Sequence, residues 1–371
     1  MLPGRGTSVL QGVAIAIALL SAREIDMYKI TIGLCVALFL GACTEPSEPV
    51  KSVFRGINYI GVSVSDLEQA TTLYTAATDL TPVENRRLSD SPVLQTLVGR
   101  SDIEVSTRMM KSSNAQLRFM QFNNPSAAAK AAPKVEVYGP GIAHVCYQVA
   151  KKTKSYERFL AAGAKPIGAL EMAQINPAAP VYYAYARDAD DIMFEVEHVD
   201  IAALNLDTPP KNNYRIRHVS LGTPDIDRAV KFYATLLDQK KPRRVGRWFK
   251  VSGENVDKVS GLADSKLEFA WFQIRNLELE LIQYHSHPTV TPSEPRPIDA
   301  LGYNMIVFDV ADLALARDKL MAAGGTIVSE QQAMDGGQIM FGRDPDGNLL
   351  GFQVVASDAT VSSQNFENNG T

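Results

Sequence analysis

The sequence predicts an α+β fold built from four copies of a βαβββ module, and three observations predict it. A short apolar strand, a polar or acidic turn and an amphipathic helix follow one another at four places in the chain. Further strand-like segments follow each predicted helix. A sharp turn precedes the last strand of the second and fourth copies; in the fourth it is Asp-Pro-Asp-Gly at 344–347. Proline there fixes φ and glycine permits positive φ.

The four copies are recognised by their first strands and helices. Those strands begin near Ile57, Ile142, Ile216 and Tyr303. In the third copy, apolar and polar residues alternate with the period of a strand from Ile216, and the helix that follows has a 3.6-residue period. Asp66 and Asp225 stand where an N-cap or a first-turn acid stabilises a helix.

Composition limits the possible functions. The chain has 371 residues, 46% of them apolar, and a formal charge of −4. This length allows two sizeable cores. The chain is mildly acidic, and no dense patch of lysine and arginine is expected. Neither property favours a nucleic-acid partner. Cys35 and Cys43 lie in the N-terminal segment, so Cys146 alone belongs to the folded part and no disulfide framework is expected there.

The N-terminal segment has the pattern of an export signal. From Met27 a lysine is followed by an apolar run and small residues before a cysteine, as in a signal peptide. Leu-Gly-Ala-Cys at 40–43 resembles the lipobox of bacterial lipoproteins. The resemblance implies a signal peptide over 1–43, a lipid on Cys43, a linker over 44–53, and, since Thr44 is not Asp, the periplasmic side of the outer membrane. Met27 as the true start, a longer signal and an uncleaved anchor helix remain open.

The repeated segments point to one superfamily. INYIGVSVSDLEQA, RHVSLGTPDIDRAVKFY and RDPDGN resemble the vicinal-oxygen-chelate superfamily, which includes glyoxalase I, extradiol dioxygenases, methylmalonyl-CoA epimerase and bleomycin-resistance proteins. The resemblance implies two glyoxalase-like domains, over 54–200 and 214–356. A polar linker containing Pro-Pro is expected at 201–213, and the Ser/Asn-rich tail at 357–371 is expected to be disordered.

The resemblance also implies where metal ligands lie, namely a histidine on the first strand and a glutamate on the last strand of each module. The second module has His144 and Glu195, and the third has His218 and Glu280. The first and fourth modules have lost both ligands; the residues at those positions are Tyr59, Arg118, Met305 and Gly351.

The distribution of the losses predicts how the modules pair. Pairing within each domain would leave two half-sites, whereas pairing the second module with the third gives one complete site. We therefore expect a single site made by His144, Glu195, His218 and Glu280, with a vestigial partner formed by the first and fourth modules. Glu197 and Glu278 are register alternatives, because each lies two residues from a predicted ligand on the same strand face.

Two imidazoles and two carboxylates suit one divalent metal ion, with Zn, Ni, Co, Fe and Mn all possible. Either Glu195 or Glu280 is a candidate general base that takes a proton from carbon. Cys146 is expected to be a small buried residue or to line the pocket. His198 is expected to be structural, and His285 and His287 are expected in a surface loop.

Three functions remain open at this stage. The first is a metal-dependent isomerase or lyase, similar to lactoylglutathione lyase, that acts on a small α-hydroxycarbonyl or related substrate. The second is another enzyme of the superfamily, such as an epimerase or a dioxygenase. The third is a lipoprotein that binds a small ligand or a metal without turnover. The chain is expected to be a monomer.

Overall fold

The structure is a computed structural model that describes residues 52–370. The predicted signal peptide, the predicted lipidation site Cys43 and most of the predicted 44–53 linker therefore lie outside the described residues. Within 52–370, no helix has both the length and the apolar composition needed to cross a bilayer.

The described residues form four modules, each with the βαβββ order. The first contains β1 (Phe54–Ser63), α1 (Leu67–Ala77), β2 (Thr81–Arg87), α2 (Pro92–Val98), β3 (Val105–Lys111) and β4 (Gln116–Phe122), followed by α3 (Ala127–Ala131). The second contains β5 (Gly141–Ala150), α4 (Ser155–Ala161), β6 (Lys165–Pro166), β7 (Val181–Arg187) and β8 (Met193–Val199), followed by α5 (Ile201–Leu204).

The third and fourth modules repeat this order. The third contains β9 (Tyr214–Gly222), α6 (Ile226–Leu236), β10 (Arg243–Val245), α7 (Glu254–Ser260), β11 (Leu267–Ile274) and β12 (Leu277–Tyr284). The fourth contains β13 (Gly302–Val310), α8 (Leu313–Ala323), β14 (Thr326–Met334), β15 (Gly337–Arg343) and β16 (Leu349–Val354). The predicted α+β fold of four βαβββ modules forming two glyoxalase-like domains is confirmed.

Aspartates begin three of the four principal helices. The side chain of Asp66 accepts hydrogen bonds from the backbone N–H groups of Glu68 and Gln69 at the start of α1. Asp225 and Asp312 cap α6 and α8 in the same way. The N-cap predictions for Asp66 and Asp225 are therefore confirmed, and each such cap contributes about 1 kcal/mol.

The strands form two eight-stranded sheets, and each sheet combines modules from both halves of the chain. Sheet I has the order β14-β15-β16-β13-β1-β4-β3-β2, so it joins the first and fourth modules. Sheet II has the order β10-β11-β12-β9-β5-β8-β7-β6, so it joins the second and third. The first strands of the paired modules run antiparallel, β1 beside β13 and β5 beside β9. The module pairing expected from the ligand losses is thus the pairing of the strands.

Each sheet has one face in a shared core and one face in a core of its own. The largest apolar cluster contains residues of both sheets and of α1, α4, α6 and α8. A second cluster covers the other face of sheet I, and a third covers the other face of sheet II. We call this last face the site face, because all four predicted metal ligands lie on it.

Two buried asparagines lock the first module to the third. Asn276, in the turn between β11 and β12, bonds to both the N–H and the C=O of Ile57, at 2.9 and 3.0 Å. Asn114, in the turn between β3 and β4, does the same to Ile216, at 2.9 and 2.7 Å. Each side chain replaces a missing strand partner, which keeps buried backbone groups paired where the two sheets meet.

The expectation that the tail at 357–371 is disordered is wrong for residues 357–370. Val361 and Phe366 are each 3% exposed and lie in the protein interior. Arg275 donates hydrogen bonds to the carbonyls of Ser363 and Phe366, at 2.6 and 2.7 Å. The Ser363 hydroxyl donates to the buried carboxylate of Asp309 at 2.9 Å. The serines that suggested disorder satisfy buried polar groups here, and two apolar residues anchor the segment.

Replacing Phe366 with Ala should lower the free energy of unfolding by about 3–5 kcal/mol, because a buried aromatic ring is lost from a packed segment. Urea unfolding followed by circular dichroism measures the change. Glu367→Ala is the matched control: Glu367 is exposed and makes only a surface ion pair with Lys211, so a change within about 0.5 kcal/mol is expected. Equal, small effects of both variants would show that the tail is not anchored.

Candidate metal centre

The site face of sheet II brings four acid and imidazole side chains together from four adjacent strands. In the antiparallel pairing of β5 with β9, Cys146 is opposite His218 and His144 is opposite Ser220. The strand β8 lies parallel to β5 on one side, and β12 lies parallel to β9 on the other. Glu195 on β8 and Glu280 on β12 therefore flank the two histidines.

One register relation holds in all four modules. The residue two positions after the predicted first-strand ligand is always the strand partner of the predicted last-strand ligand. These strand partners are Cys146 with Glu195, Ser220 with Glu280, Gly61 with Arg118 and Val307 with Gly351. The four pairs of positions derived from the sequence are therefore structurally equivalent.

The four polar ends converge on one small volume. The Nε2 atoms of His144 and His218 lie 3.2 Å apart. Oε2 of Glu195 lies 3.3 Å from the first and 3.0 Å from the second of these nitrogens. Oε2 of Glu280 lies 3.6 and 3.4 Å from the same two atoms. All four side chains are at least nine-tenths buried.

These spacings suit a common cation. Atoms that each lie about 2.1 Å from one metal ion are separated by about 3.4 Å at the tetrahedral angle and by about 3.0 Å at a right angle. The His–His separation and the four His–Glu separations, from 3.0 to 3.6 Å, bracket both values. These distances are compatible with the expected four-residue site.

The electrostatics of the cluster also favour a cation. Burial raises the pKa of Glu195, but hydrogen bonds and charge from His144 and His218 outweigh it and hold that pKa well below its usual range. Burial lowers the pKa of His218, but the negative charges of Glu280 and Glu195 outweigh it, so this pKa is raised. Both pKa shifts have the same physical cause, namely that a buried carboxylate is stabilised by a positive charge beside it.

Several buried atoms of the cluster have no hydrogen-bond partner among the described residues. They include Oε2 of Glu280 and the Nδ1 atoms of both histidines. An unpaired buried carboxylate oxygen is costly, and a cation would relieve that cost. The unpaired Nδ1 atoms depart from most protein metal sites, where this nitrogen donates to a carboxylate or carbonyl.

The register alternatives have another role. Arg217 forms ion pairs with both Glu197 and Glu278; its Nε atom lies 3.2 Å from Glu278. Arg243 also lies 3.3 Å from Glu278. The two alternative glutamates are thus neutralised by arginine, whereas Glu195 and Glu280 are the ones that face the imidazoles.

The remaining histidines and Cys146 match their expected surroundings. Cys146 is fully buried, and its sulfur lies within 4.8 Å of ligand atoms of Glu195, Glu197 and His218. His198 is buried and accepts a hydrogen bond from the backbone N–H of Tyr156. His285 follows β12, and its ring lies 3.2 Å from Glu268.

Aromatic and aliphatic side chains cover the ligands. The Tyr185 ring centroid lies 5.1 Å from that of His144. Val256 and Val259 of α7 belong to the same apolar cluster as Tyr185 and Tyr284. The helix α7, inserted between the second and third strands of its module, therefore closes this face of the sheet.

A cavity of about 370 Å³ opens beside the strands that carry the ligands, and its lining contains none of the four ligands themselves. Its walls include Arg217, which directly precedes His218 in the chain, and Glu278, the strand partner of His218. Arg243 also lines it and stacks over Trp271 at 3.8 Å, and Trp271 is in turn the strand partner of Glu280. The walls of this cavity therefore carry guanidinium groups.

The equivalent place on sheet I holds a guanidinium. Arg118 is 1% exposed, donates a hydrogen bond to the Tyr59 hydroxyl at 3.1 Å and pairs with Asp335 at 2.9 Å. Met305 belongs to the apolar cluster that contains Tyr59. A Cβ atom at Gly351 would come within 2.9 Å of the Phe341 and Val307 side chains, so no carboxylate fits there.

Sequence reasoning missed several residues of these two places. Tyr185 is the strand partner of Glu195, and the pairing of β7 with β8 could have indicated it. Arg217 directly precedes His218, so strand alternation predicts the opposite face for it; it lies at a register shift in the pairing of β5 with β9, which the sequence does not mark. Asp335, which pairs with Arg118, lies in the turn between β14 and β15, and no motif in the sequence marks it.

Comparisons with solved structures agree with the fold. Glyoxalase I from Zea mays superposes with a TM-score of 0.53 at 17% identity, over 81% of this chain and 92% of that one. A mutant form of the same enzyme gives 0.56 at 17% identity, over 81% and 93%. A putative dioxygenase from Bacillus subtilis gives 0.53 at 12% identity, over 86% and 89%. At these identities the likeness concerns the fold alone. No curated protein matches the chain.

Family models match both halves of the sequence. One model of the Glyoxalase/Bleomycin resistance protein/Dioxygenase superfamily matches residues 215–352, and a second model with the same description matches residues 33–185. The chain therefore belongs to the Glyoxalase/Bleomycin resistance protein/Dioxygenase superfamily.

Proposed function

We propose that the chain is a metal-dependent isomerase or lyase of the glyoxalase type that acts on a small α-hydroxycarbonyl or related substrate. One observation carries the proposal: on a buried face of sheet II, the carboxylates of Glu195 and Glu280 each lie 3.0–3.6 Å from the Nε2 atoms of His144 and His218, which are themselves 3.2 Å apart. These four residues would hold one divalent metal ion, and two negative charges would balance its two positive ones.

The chemistry requires a proton to move between neighbouring carbons. A divalent ion bound there would polarise the substrate carbonyl and make the adjacent C–H more acidic. Glu280 suits the role of general base, because its Oε2 atom has no hydrogen-bond donor among the described residues. Its carboxylate takes the proton from one carbon and returns it to the next. Glu195, whose Oε2 atom lies 3.3 and 3.0 Å from the two imidazole nitrogens, would remain as the second carboxylate ligand.

The buried surroundings support this chemistry. The side chains of α7 and the tyrosines exclude water from the ligands, which strengthens each charge interaction there. The cavity of about 370 Å³ has room for a small substrate. Its guanidinium groups, on Arg215, Arg217 and Arg243, favour a substrate that carries negative charge.

A second candidate function is binding without turnover. The four candidate ligands are no more than 8% exposed, and closed sites of this kind are typical of structural metals rather than catalytic ones. An epimerase that uses the same four ligands is a further alternative. A dioxygenase with ligands from the third and fourth modules is disfavoured by Met305 and Gly351.

We also infer that the protein is exported and lipid-anchored at Cys43 on the periplasmic side of the outer membrane, where it acts as a monomer. The sequence at 27–43 supports this proposal.

Purified protein should contain one divalent metal ion per chain, because sheet I holds Arg118 where sheet II has its ligand cluster. Metal analysis by mass spectrometry measures the content. Glu280→Gln and His144→Ala should each weaken the affinity by more than about a hundredfold, which exceeds the usual cost of losing a supporting residue.

Glu278→Gln is the matched control for metal binding. Glu278 lies on the same strand as Glu280, two residues away, but pairs with arginine. Its metal content should stay at one ion per chain. Two ions per chain, or equal losses in both glutamate variants, would contradict the assignment of the site.

The metal-loaded protein should isomerise a hemithioacetal formed from an α-ketoaldehyde and a thiol, measured by absorbance with added Zn or Ni. Glu280→Gln should lower kcat by about 10²–10⁴, the usual contribution of a general base. A fully loaded protein that turns over no hemithioacetal, with any thiol tested, would favour the non-catalytic binder.

Cys43→Ser should move the protein from the membrane fraction to the soluble fraction of the cell envelope, because a lipidated N-terminal cysteine is the proposed anchor. Immunoblots of both fractions measure the distribution. Cys35→Ser is the control and should leave the protein in the membrane fraction. An unchanged distribution in Cys43→Ser would contradict the lipid anchor.

A further inference from the structure

The segment at 240–250 concentrates positive charge. Its sequence, KKPRRVGRWFK, has six lysines and arginines in eleven residues and no acidic residue. The expectation that the chain lacks a dense cationic patch is therefore wrong for this segment. It contains β10 and the loop that leads to α7, so it belongs to the edge of sheet II.

Two large aromatic side chains project from this segment. Trp248 is 82% exposed and Phe249 is 91% exposed, the two highest values among the large apolar residues of the described chain. A neighbouring aliphatic residue, Val245, is 44% exposed. Adjacent exposed aromatic rings of this size indicate an interaction surface, because water is a poor environment for both.

The base of the loop is fixed, so the exposure of the tip is built into the fold. Arg244 and Lys250, on either side of the tip, both form ion pairs with the buried carboxylate of Glu268. The backbone of Val251 bridges to Leu267. Gly246 has a φ of +86°, and a Cβ atom there would lie 2.5 Å from the Leu267 carbonyl oxygen. A glycine is required for the chain to turn outward at that point.

Much of the charge at the tip is unbalanced. Arg243 pairs with Glu278, and Arg244 also pairs with Asp227. Lys240, Lys241 and Arg247 form no ion pair with any carboxylate of residues 52–370. Positive charge thus surrounds the two exposed rings.

We propose that this segment docks on the surface of an anionic lipid bilayer, with Trp248 and Phe249 inserted between the headgroups. Aromatic side chains favour the boundary between headgroups and acyl chains, and lysine and arginine are attracted to anionic lipids. The two rings stand beside Val245, which is 44% exposed, and a bilayer takes up all three apolar side chains together, whereas a nucleic-acid strand would stack on the rings alone. This docking does not depend on a lipid at Cys43 or on catalysis.

Tryptophan fluorescence of the full chain in vesicles tests the proposal. The chain has two tryptophans, and the other one, Trp271, is stacked between Phe269 and Arg243. Trp271→Phe leaves Trp248 as the only tryptophan. Its emission should shift to shorter wavelength and be quenched by brominated lipids in vesicles that contain phosphatidylglycerol. In Trp248→Phe, the remaining signal should show neither change.

Charge reversal provides the matched comparison, made in the Trp271→Phe background. Lys240→Glu with Lys241→Glu should weaken partitioning of the loop by at least about fivefold for each cation removed. Lys152→Glu with Lys154→Glu makes the same change of net charge at two exposed lysines of the second module and should leave the quenching unchanged.

Three results would overturn the proposal. The first is an unquenched, water-exposed Trp248 in vesicles that carry the protein. The second is equal loss of quenching in the two charge-reversal variants, which would indicate attraction by net charge alone. The third is a Trp248 signal that responds to single-stranded DNA, or to protein concentration, but not to anionic vesicles, which would assign the loop to nucleic acid or to a second copy of the chain.

Discussion

The antiparallel pairing of β5 with β9 is the interaction on which the candidate site depends. It joins the second module to the third and sets the register in which His144 and His218 lie diagonally on one face, with their Nε2 atoms 3.2 Å apart. The parallel strands on either side then add Glu195 and Glu280. A slip of one residue between these strands would turn the imidazoles into the shared core and the valines beside them outward. The main core therefore enforces the geometry of the site, because the same strands that carry the ligands bury their alternate residues in that core.

The glutamates on the site face form two pairs that differ in the groups they contact. Of the glutamates on β8 and β12, Glu197 and Glu278 share Arg217, and this pairing satisfies them within the chain. Glu195 and Glu280 have imidazoles beside them, and within residues 52–370 neither forms an ion pair with a guanidinium or ammonium group. A divalent ion would provide the missing charge. The arginines that neutralise the alternative glutamates also line a cavity on this sheet.

Sheet I has the same arrangement of strands, but there a protein side chain provides the positive charge. Arg118 lies at the position equivalent to Glu195, and Asp335 and the ring of Tyr59 hold its guanidinium. A fixed cation there removes the need for a metal, while packing around Gly351 excludes a carboxylate. Duplicated modules can thus diverge at one face because the opposite face, in the shared core, keeps the strands in place. The exposed cationic loop at 240–250 is a comparable addition at the edge of sheet II, where it leaves the paired strands undisturbed.

The sequence by itself determined the repeat, the helix caps and the choice of His144, Glu195, His218 and Glu280 as candidate ligands, because strand and helix periods and capping are local properties of the chain. The pairing of modules was also inferable, since a complete ligand set and an absent one are visible in the residue types. Only the tertiary structure decided which glutamates face the imidazoles, since Glu195 and Glu197 share a strand face and differ only in whether Arg217 reaches them. It also decided that the polar tail packs and that Arg118 is buried beside Asp335. Both depend on contacts between segments far apart in sequence, and no local pattern records such contacts.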